Sequence, residues 1–480
     1  MWLILLCYIF RTYAKEDSTD APVTLHTEAN ILQKFYVPNW DDLDTRPLPQ
    51  WYDVAKIGIF IHWGVYSVPS YKNEWFWYMW HQGDSEIKQF IENERYNGTY
   101  KGFAPYFTAE LFDPDTWAEL FAKAGAKYVV LTTKHHDGFA LFPSRIPDWN
   151  AVEIGPKKDL VELLAKSVRK YDMKFGVYYS LYEWFNRLWL SDQRRNFTTH
   201  NFVDGIVIPD IKQLILDYEP SVLWLDGDWE ATYDYWKATE LLTWIYNDSP
   251  VKNEIVVNDR FGAGMRCHHG DFYNCDDRFN PRKLMFHKWE NAFTLDSTSW
   301  SFRRNMMPND VMSIDKLLET IVTTVSCGGN ALLNIGPTKE GTIVPIFKDR
   351  LQLLGEWLEI NGEAIYDTSP WYHQSDTNNA DVWYTCKKKS YDSWRPADTP
   401  NKTDIILAIY VIFLKWPSNN VLIVSDLTRY MKNRNYSINV VGGESYTPVK
   451  YVLSTHFVAV HLPSMSNMTS KFAWTLRISA

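Results

Sequence analysis

Little in this chain suits nucleic acid, a bilayer or a scaffold built on disulfides. Five cysteines in 480 residues are too few to carry a fold, so a hydrophobic core must do it. Lys and Arg number 49 against 58 Asp and Glu, a net charge of -9, and no basic stripe offsets that balance. DNA and RNA are excluded as partners on that ground. No Gly-rich dinucleotide or phosphate loop follows the first apolar strand, and neither a Gly-x-Ser-x-Gly elbow nor a His-Glu-x-x-His pair occurs. Their absence argues against nucleotide enzymes, hydrolase-fold esterases and zinc peptidases. No membrane span is expected either, because the apolar N-terminal stretch MWLILLCYIFRTYA is too short to cross a bilayer.

That stretch has instead the length of a signal peptide, with Ala14 as a small residue for cleavage, although Arg11 follows the apolar core rather than preceding it. Removal of residues 1–14 takes Cys7 away and leaves Cys267, Cys275, Cys327 and Cys386. Cys267 and Cys275, in one glycine-containing loop, are the pair best placed to bridge. Sequons at Asn97, Asn196, Asn247, Asn401, Asn435 and Asn467 agree with a secreted or lysosomal, N-glycosylated protein, Asn247 being the poorer acceptor because Ser249 precedes Pro250.

What the chain has in quantity is aromatic surface, with 23 Trp and 29 Tyr. Large cores account for most of these, but indole faces also stack on the C–H faces of sugars. From about Trp51 to Gly362, apolar runs of strand length alternate with amphipathic helical stretches. KIGIFIHW, KYVVLTT, KFGVYYS, SVLWLD, EIVVNDR, a run within HKWENAFTL, and ALLNIG read as strands. DPDTWAELFAKAGA, DLVELLAKSVRKYD and SIDKLLETIVTTVS read as helices between them. Seven or eight such units predict a (β/α)8-type barrel spanning residues 15–365. Beyond it the pattern turns to short alternating strands without helices, which predicts an antiparallel β-sandwich over 366–480.

In such a barrel the chemistry lies where strands end. Side chains alternate along a strand, so Val222, Trp224 and Asp226 share the inward face while Leu223 and Leu225 point to the helices. The same parity aligns Gly58, Phe60 and His62. His135 and His136 follow the second strand, Tyr178 and Tyr179 end the third, and Asp259 and Arg260 end the fifth. Any one of these could be a turn or cap residue, but five strands agreeing point to a ligand site. Adjacent histidines on extended backbone diverge, and no third His or Cys is placed to complete a metal site with Asp226, so no metal and no cofactor are expected. Carboxylates with aromatics and histidines suit glycoside hydrolysis, which needs one carboxylate at the anomeric carbon and a second acid for the leaving oxygen.

GIFIHWGVYSVPSY, NEWFWYMW, TTKHHDGF, LWLDGDW, VNDRFG, CHHGDFYNCDDRF, HKWE and GGNALLNIGPTKEG, in that order, resemble the retaining α-L-fucosidases of glycoside hydrolase family 29, especially the animal, lysosomal-type enzymes. The resemblance runs from about Pro38 to the C-terminus. It implies an exo-glycosidase that releases terminal fucose from glycoproteins or glycolipids through a covalent fucosyl-enzyme intermediate, with Asp226 as nucleophile. It further implies that His62, Glu74, Trp75, His135, His136, Tyr178, Trp224 and Arg260 line the fucose pocket. For the acid/base, Asp277 at the barrel mouth is favoured and Glu290, lower in the sixth strand, is the alternative. The chain departs from the family at Ala292, where members commonly carry cysteine. Retaining hydrolysis needs two carboxylates and no thiol, so activity is expected to survive. A non-catalytic sugar-binding protein on the same fold is the rival reading, and a homo-oligomer is compatible with either.

Overall fold

The structure is a computed structural model that describes residues 34–389, 405–432, 436–442 and 447–479. The predicted signal peptide, Cys7, the sequons at Asn401 and Asn435 and most of the polar loop before Ile405 lie outside the described residues. Tyr36–Ala480 forms one compact unit.

The seven apolar runs fold as β1 (Ile57–Ile61), β2 (Tyr128–Lys134), β3 (Lys174–Ser180), β4 (Val222–Asp226), β5 (Val256–Val257), β6 (Trp289–Thr294) and β7 (Gly329–Ile335). They pair in parallel in the order β5-β4-β3-β2-β1-β7-β6. Three of the helices between them are pinned by side-chain caps, each of a kind worth about 1 kcal/mol. Asp113 accepts from the amides of Asp115 and Thr116, Asp159 from that of Glu162 and Ser313 from that of Lys316.

Two details depart from the predicted barrel. The expected fifth strand pairs over only two residues, because the Asn258 side chain takes over. Its Oδ1 accepts from the Leu225 amide and its Nδ2 donates to the Leu225 carbonyl, both at 2.9 Å. The eighth stave is a short segment with no helix beside it. Asn258 bridges Phe272 and Tyr273 bridges Trp289, both in parallel, so the chain around Phe272 and Tyr273 joins β5 to β6.

Alternation along the strands separates two layers. Phe60, Tyr128, Val130, Tyr178, Val222, Trp224, Val256, Ala292 and Leu332 pack with one another inside the sheet. Leu223 and Leu225 join Ile59, Ile61, Val129 and Val177 in the larger core beneath the helices. Gly58 makes room for this interior, since a Cβ there would lie 2.5 Å from the Tyr128 ring.

After the helix Pro345–Asn361 the chain builds two antiparallel sheets. Strands Val382–Lys388, Ile406–Phe413 and Trp474–Ser479 lie adjacent in the larger one, and Val421–Val424 pairs with Val458–His461 in the smaller. One core lies between the sheets, with Ile409, Val411, Leu422, Val460 and Leu476 among its members. Ala408, Tyr410 and Ile412, of opposite parity, belong to the barrel's core. The sandwich therefore rests on the barrel by its larger sheet, and the Trp357 indole fixes the contact by donating to the Ala473 carbonyl.

Candidate active site

A cavity of about 400 Å³ opens at the C-terminal end of the strands. His62, Glu74, Trp75, His135, His136, Tyr178, Trp224, Asp226, Arg260 and Asp277 all line it. The sequence had marked each of these. Glu290 is the exception and lies below the cavity.

Asp226 ends β4 with its side chain 13% exposed. Its carboxylate accepts from the Tyr178 hydroxyl at 2.7 Å and from Arg260 Nη1 at 3.2 Å, and His136 Nε2 stands 3.6 Å away. Burial raises its pKa above the ordinary value, against the opposing pull of Arg260. Gly227 follows in the left-handed region at φ 83°, and a Cβ there would meet the Tyr182 ring at 2.6 Å. Only glycine lets the chain turn so tightly behind the carboxylate.

Arg260 spans two acids, since its Nη2 donates to Asp277 Oδ1 at 2.6 Å. Asp277, 46% exposed, sits on the rim. Partial burial pushes its pKa up, but Arg260, Arg278 and Arg266 together hold it below the ordinary value. The loop that carries it is tied at its base. Cys267 and Cys275 form the expected disulfide, and buried Asp259 accepts from the amides of Cys267, Asn274 and Cys275.

Glu290 is sealed inside the barrel. Tyr52 and Tyr128 donate to its Oε2 at 2.7 and 2.6 Å, and Trp224 Nε1 donates to Oε1 at 2.9 Å. It anchors the Trp224 indole that floors the cavity. Glu74 is likewise buried, accepts the amides of Trp300 and Ser301, and so positions the loop that brings Trp300 to the wall.

For two of the histidines the hydrogen-bond network fixes which ring nitrogen carries the proton. Asn334 Nδ2 donates to the Trp300 carbonyl, which leaves Oδ1 to accept from His62 Nδ1 at 2.7 Å. Ser180 Oγ donates to the Tyr182 carbonyl and so accepts from His136 Nδ1 at 2.6 Å. Burial lowers both pKa values to about 3. Each ring is then neutral with its proton on Nδ1, and Nε2 remains an acceptor. His135 is also held neutral by burial.

The lining includes residues that the sequence had not assigned, among them Trp229, Arg266, Arg278 and Trp300. Trp229 stands in a motif already singled out, just past the end of β4, and that setting was the available signal. Arg278 sits next to Asp277 in another such motif. Asp228 is buried with its side chain 2% exposed, because Arg266 clamps both its oxygens at 2.6 and 2.9 Å.

Comparison with known proteins follows the same outline. An alpha-L-fucosidase family model matches residues 23–363, and one for the alpha-L-fucosidase C-terminal domain matches 374–479. An alpha-L-fucosidase of Branchiostoma floridae is 45% identical over 454 residues, which cover 93% of this chain and 96% of the relative. The tissue alpha-L-fucosidase of Homo sapiens is 44% identical, with 92% of each chain covered. The crystal structure of Thermotoga maritima alpha-fucosidase with a mechanism-based inhibitor superposes with a TM-score of 0.75 at 32% identity, covering 93% of this chain and 100% of that one.

Proposed function

The chain belongs to the α-L-fucosidase family and is a glycoside hydrolase acting on fucosides, and we propose that Asp226 and Asp277 carry its two displacements. In the first, an Asp226 oxygen attacks the anomeric carbon, the bond to the leaving oxygen breaks, and Asp277 gives that oxygen its proton. In the second, Asp277 takes a proton from water, the water oxygen attacks the same carbon, and the bond to Asp226 breaks. Two inversions return fucose with its original configuration.

The observation that carries this reading is the single guanidinium shared by the two carboxylates. Arg260 supplies one positive charge to a pair that must hold one proton when substrate is bound. It stands closer to Asp277 than to Asp226 in the described arrangement. The first displacement requires it to favour Asp226, which frees Asp277 to carry the proton. Once Asp226 is esterified its charge is gone, the whole attraction falls on Asp277, and that carboxylate becomes the base. One cation thus supports both halves of the cycle. A protein that only bound sugar would have no need for this second carboxylate.

For the sugar, the acceptor nitrogens of His62 and His136 suit its hydroxyls. Phe60, Trp224 and Trp300 offer an apolar wall for the C5 methyl of a 6-deoxy ring. Residues 15–365 serve as the catalytic barrel and 366–480 as the sandwich domain. Entry to a secreted or lysosomal route rests on the signal peptide at residues 1–14. Exposed Asn97, Asn196 and Asn467 are the glycan acceptors among the described sequons, because Asn247 is buried and spends its amide on the Tyr36 backbone. Proton NMR during hydrolysis of an aryl α-L-fucoside tests the mechanism. The α-anomer of fucose should appear before mutarotation, and a first-formed β-anomer would exclude it.

A further inference from the structure

We propose that the aglycone side of this site selects fucose attached to a negatively charged sugar, with Arg278 binding that sugar's sulfate or carboxylate. The inference rests on the hydrolase reading above and names its substrate class.

Arg260, Arg266 and Arg278 all line the mouth. Arg266 is neutralised, since Asp228 takes its Nε and Nη2 and Asp276 lies 3.7 Å from its Nη1. Arg260 is divided between Asp226 and Asp277. Arg278 makes no ion pair among the described residues, although its charge helps to hold the Asp277 carboxylate ionised. Its Nη2 donates only to the Thr294 hydroxyl at 3.1 Å, and its guanidinium lies 5.1 Å from the centre of the Trp300 ring. The remaining donors of that planar fork suit the two oxygens of a sulfate or carboxylate.

The position is built. Arg278 holds a left-handed backbone at φ 55°, a conformation that glycine or asparagine takes at less cost, and its amide donates to the Ala292 carbonyl at 3.0 Å. Arg278 lines the same cavity as Asp277 and acts on its charge, and with Asp277 as the proposed acid that is the side of the leaving group. An unpaired cation there works against proton donation, because it favours the ionised acid. An anionic aglycone would cancel it, so such a substrate gains in proton transfer as well as in binding.

Three α-L-fucosyl disaccharides test this, with galactose, galactose 6-sulfate or galacturonate as the second sugar. The charged members should show kcat/KM about three- to tenfold above the neutral one, the range of a partly exposed charge-assisted pair. The two charged arms tell sulfate from carboxylate, and added salt should shrink the preference. Arg278→Gln should bring the charged-to-neutral ratio to about one. Because it is a ratio, it does not depend on how much of the variant folds. A wild-type ratio of one or less, with the neutral disaccharide cleaved, overturns the inference and leaves the hydrolase intact. So does a ratio that survives Arg278→Gln. Failure to cleave the disaccharides and a simple aryl fucoside alike would remove the hydrolase reading and this inference with it.

Discussion

Replacing Asp277 by Asn and Glu290 by Gln separates the two candidate acids, because the structure gives each substitution a different cost. Asp277→Asn keeps the shape of the side chain and an oxygen that can still accept from Arg260, but removes the proton to be given. Loss of a general acid costs about 10² to 10⁴ in rate when the leaving group needs protonation, or roughly 3 to 5 kcal/mol of barrier. A nitrophenolate leaves without help, so for it the loss should be far smaller. Folding should scarcely change, since a rim ion pair is worth about 1 kcal/mol or less. Glu290→Gln behaves in reverse. Either orientation of the new amide turns an NH₂ toward donors, the two tyrosine hydroxyls or the Trp224 indole. Each buried donor left unpaired costs about 1–3 kcal/mol. That variant should unfold earlier and lose rate through a displaced Trp224 floor, by a similar factor for good and poor leaving groups. The assay is kcat/KM against leaving-group acidity for a series of aryl α-L-fucosides, with urea unfolding alongside. A steep dependence for Glu290→Gln and a flat one for Asp277→Asn would refute the assignment.

Asp210 is buried with Oδ1 unpartnered, and burial raises its pKa from 3.8 to about 7. A raised acid stabilises the fold fully below its unfolded value and loses that contribution as pH rises through the folded one. Asp210→Asn should therefore gain on the wild type by about 1.4 kcal/mol per pH unit between roughly pH 4 and pH 7, read from urea midpoints; a pH-independent difference would exclude the titration. Cys267 and Cys275 close a loop with a sequence separation of 8, worth about 2.5 kcal/mol in the chain-entropy description. Replacing both by Ala should lower kcat on substrates with poor leaving groups more than on good ones, by loosening Asp277. Equal losses on both would show that the bridge supports the fold alone.

The strands and their inward parity were legible because two faces of each strand meet different neighbours. Leu223 and Leu225 face helices while Trp224 and Asp226 face the barrel, and alternation alone records that. The eighth stave was not legible, because the segment around Phe272 and Tyr273 pairs through single bridges and carries no apolar run. Nor was the state of the histidines. Whether His62 donates or accepts is set by Asn334, which lies 272 positions away in sequence. The same holds for Asp228, whose burial depends on an arginine 38 residues later. Polar groups at strand ends announce a site, but their protonation follows from partners that only the folded chain supplies.

Retaining hydrolysis at this site requires Asp226 to form a covalent bond to the sugar. A 2-deoxy-2-fluoro-fucosyl fluoride slows both displacements, and its good leaving group lets the first outrun the second, so the intermediate accumulates. Peptide mass spectrometry after acid quench should find one fluorofucosyl adduct, on the peptide containing Asp226, with the modified residue identified as Asp226 by fragmentation. An adduct on any other carboxylate, or inactivation without an adduct, would contradict it.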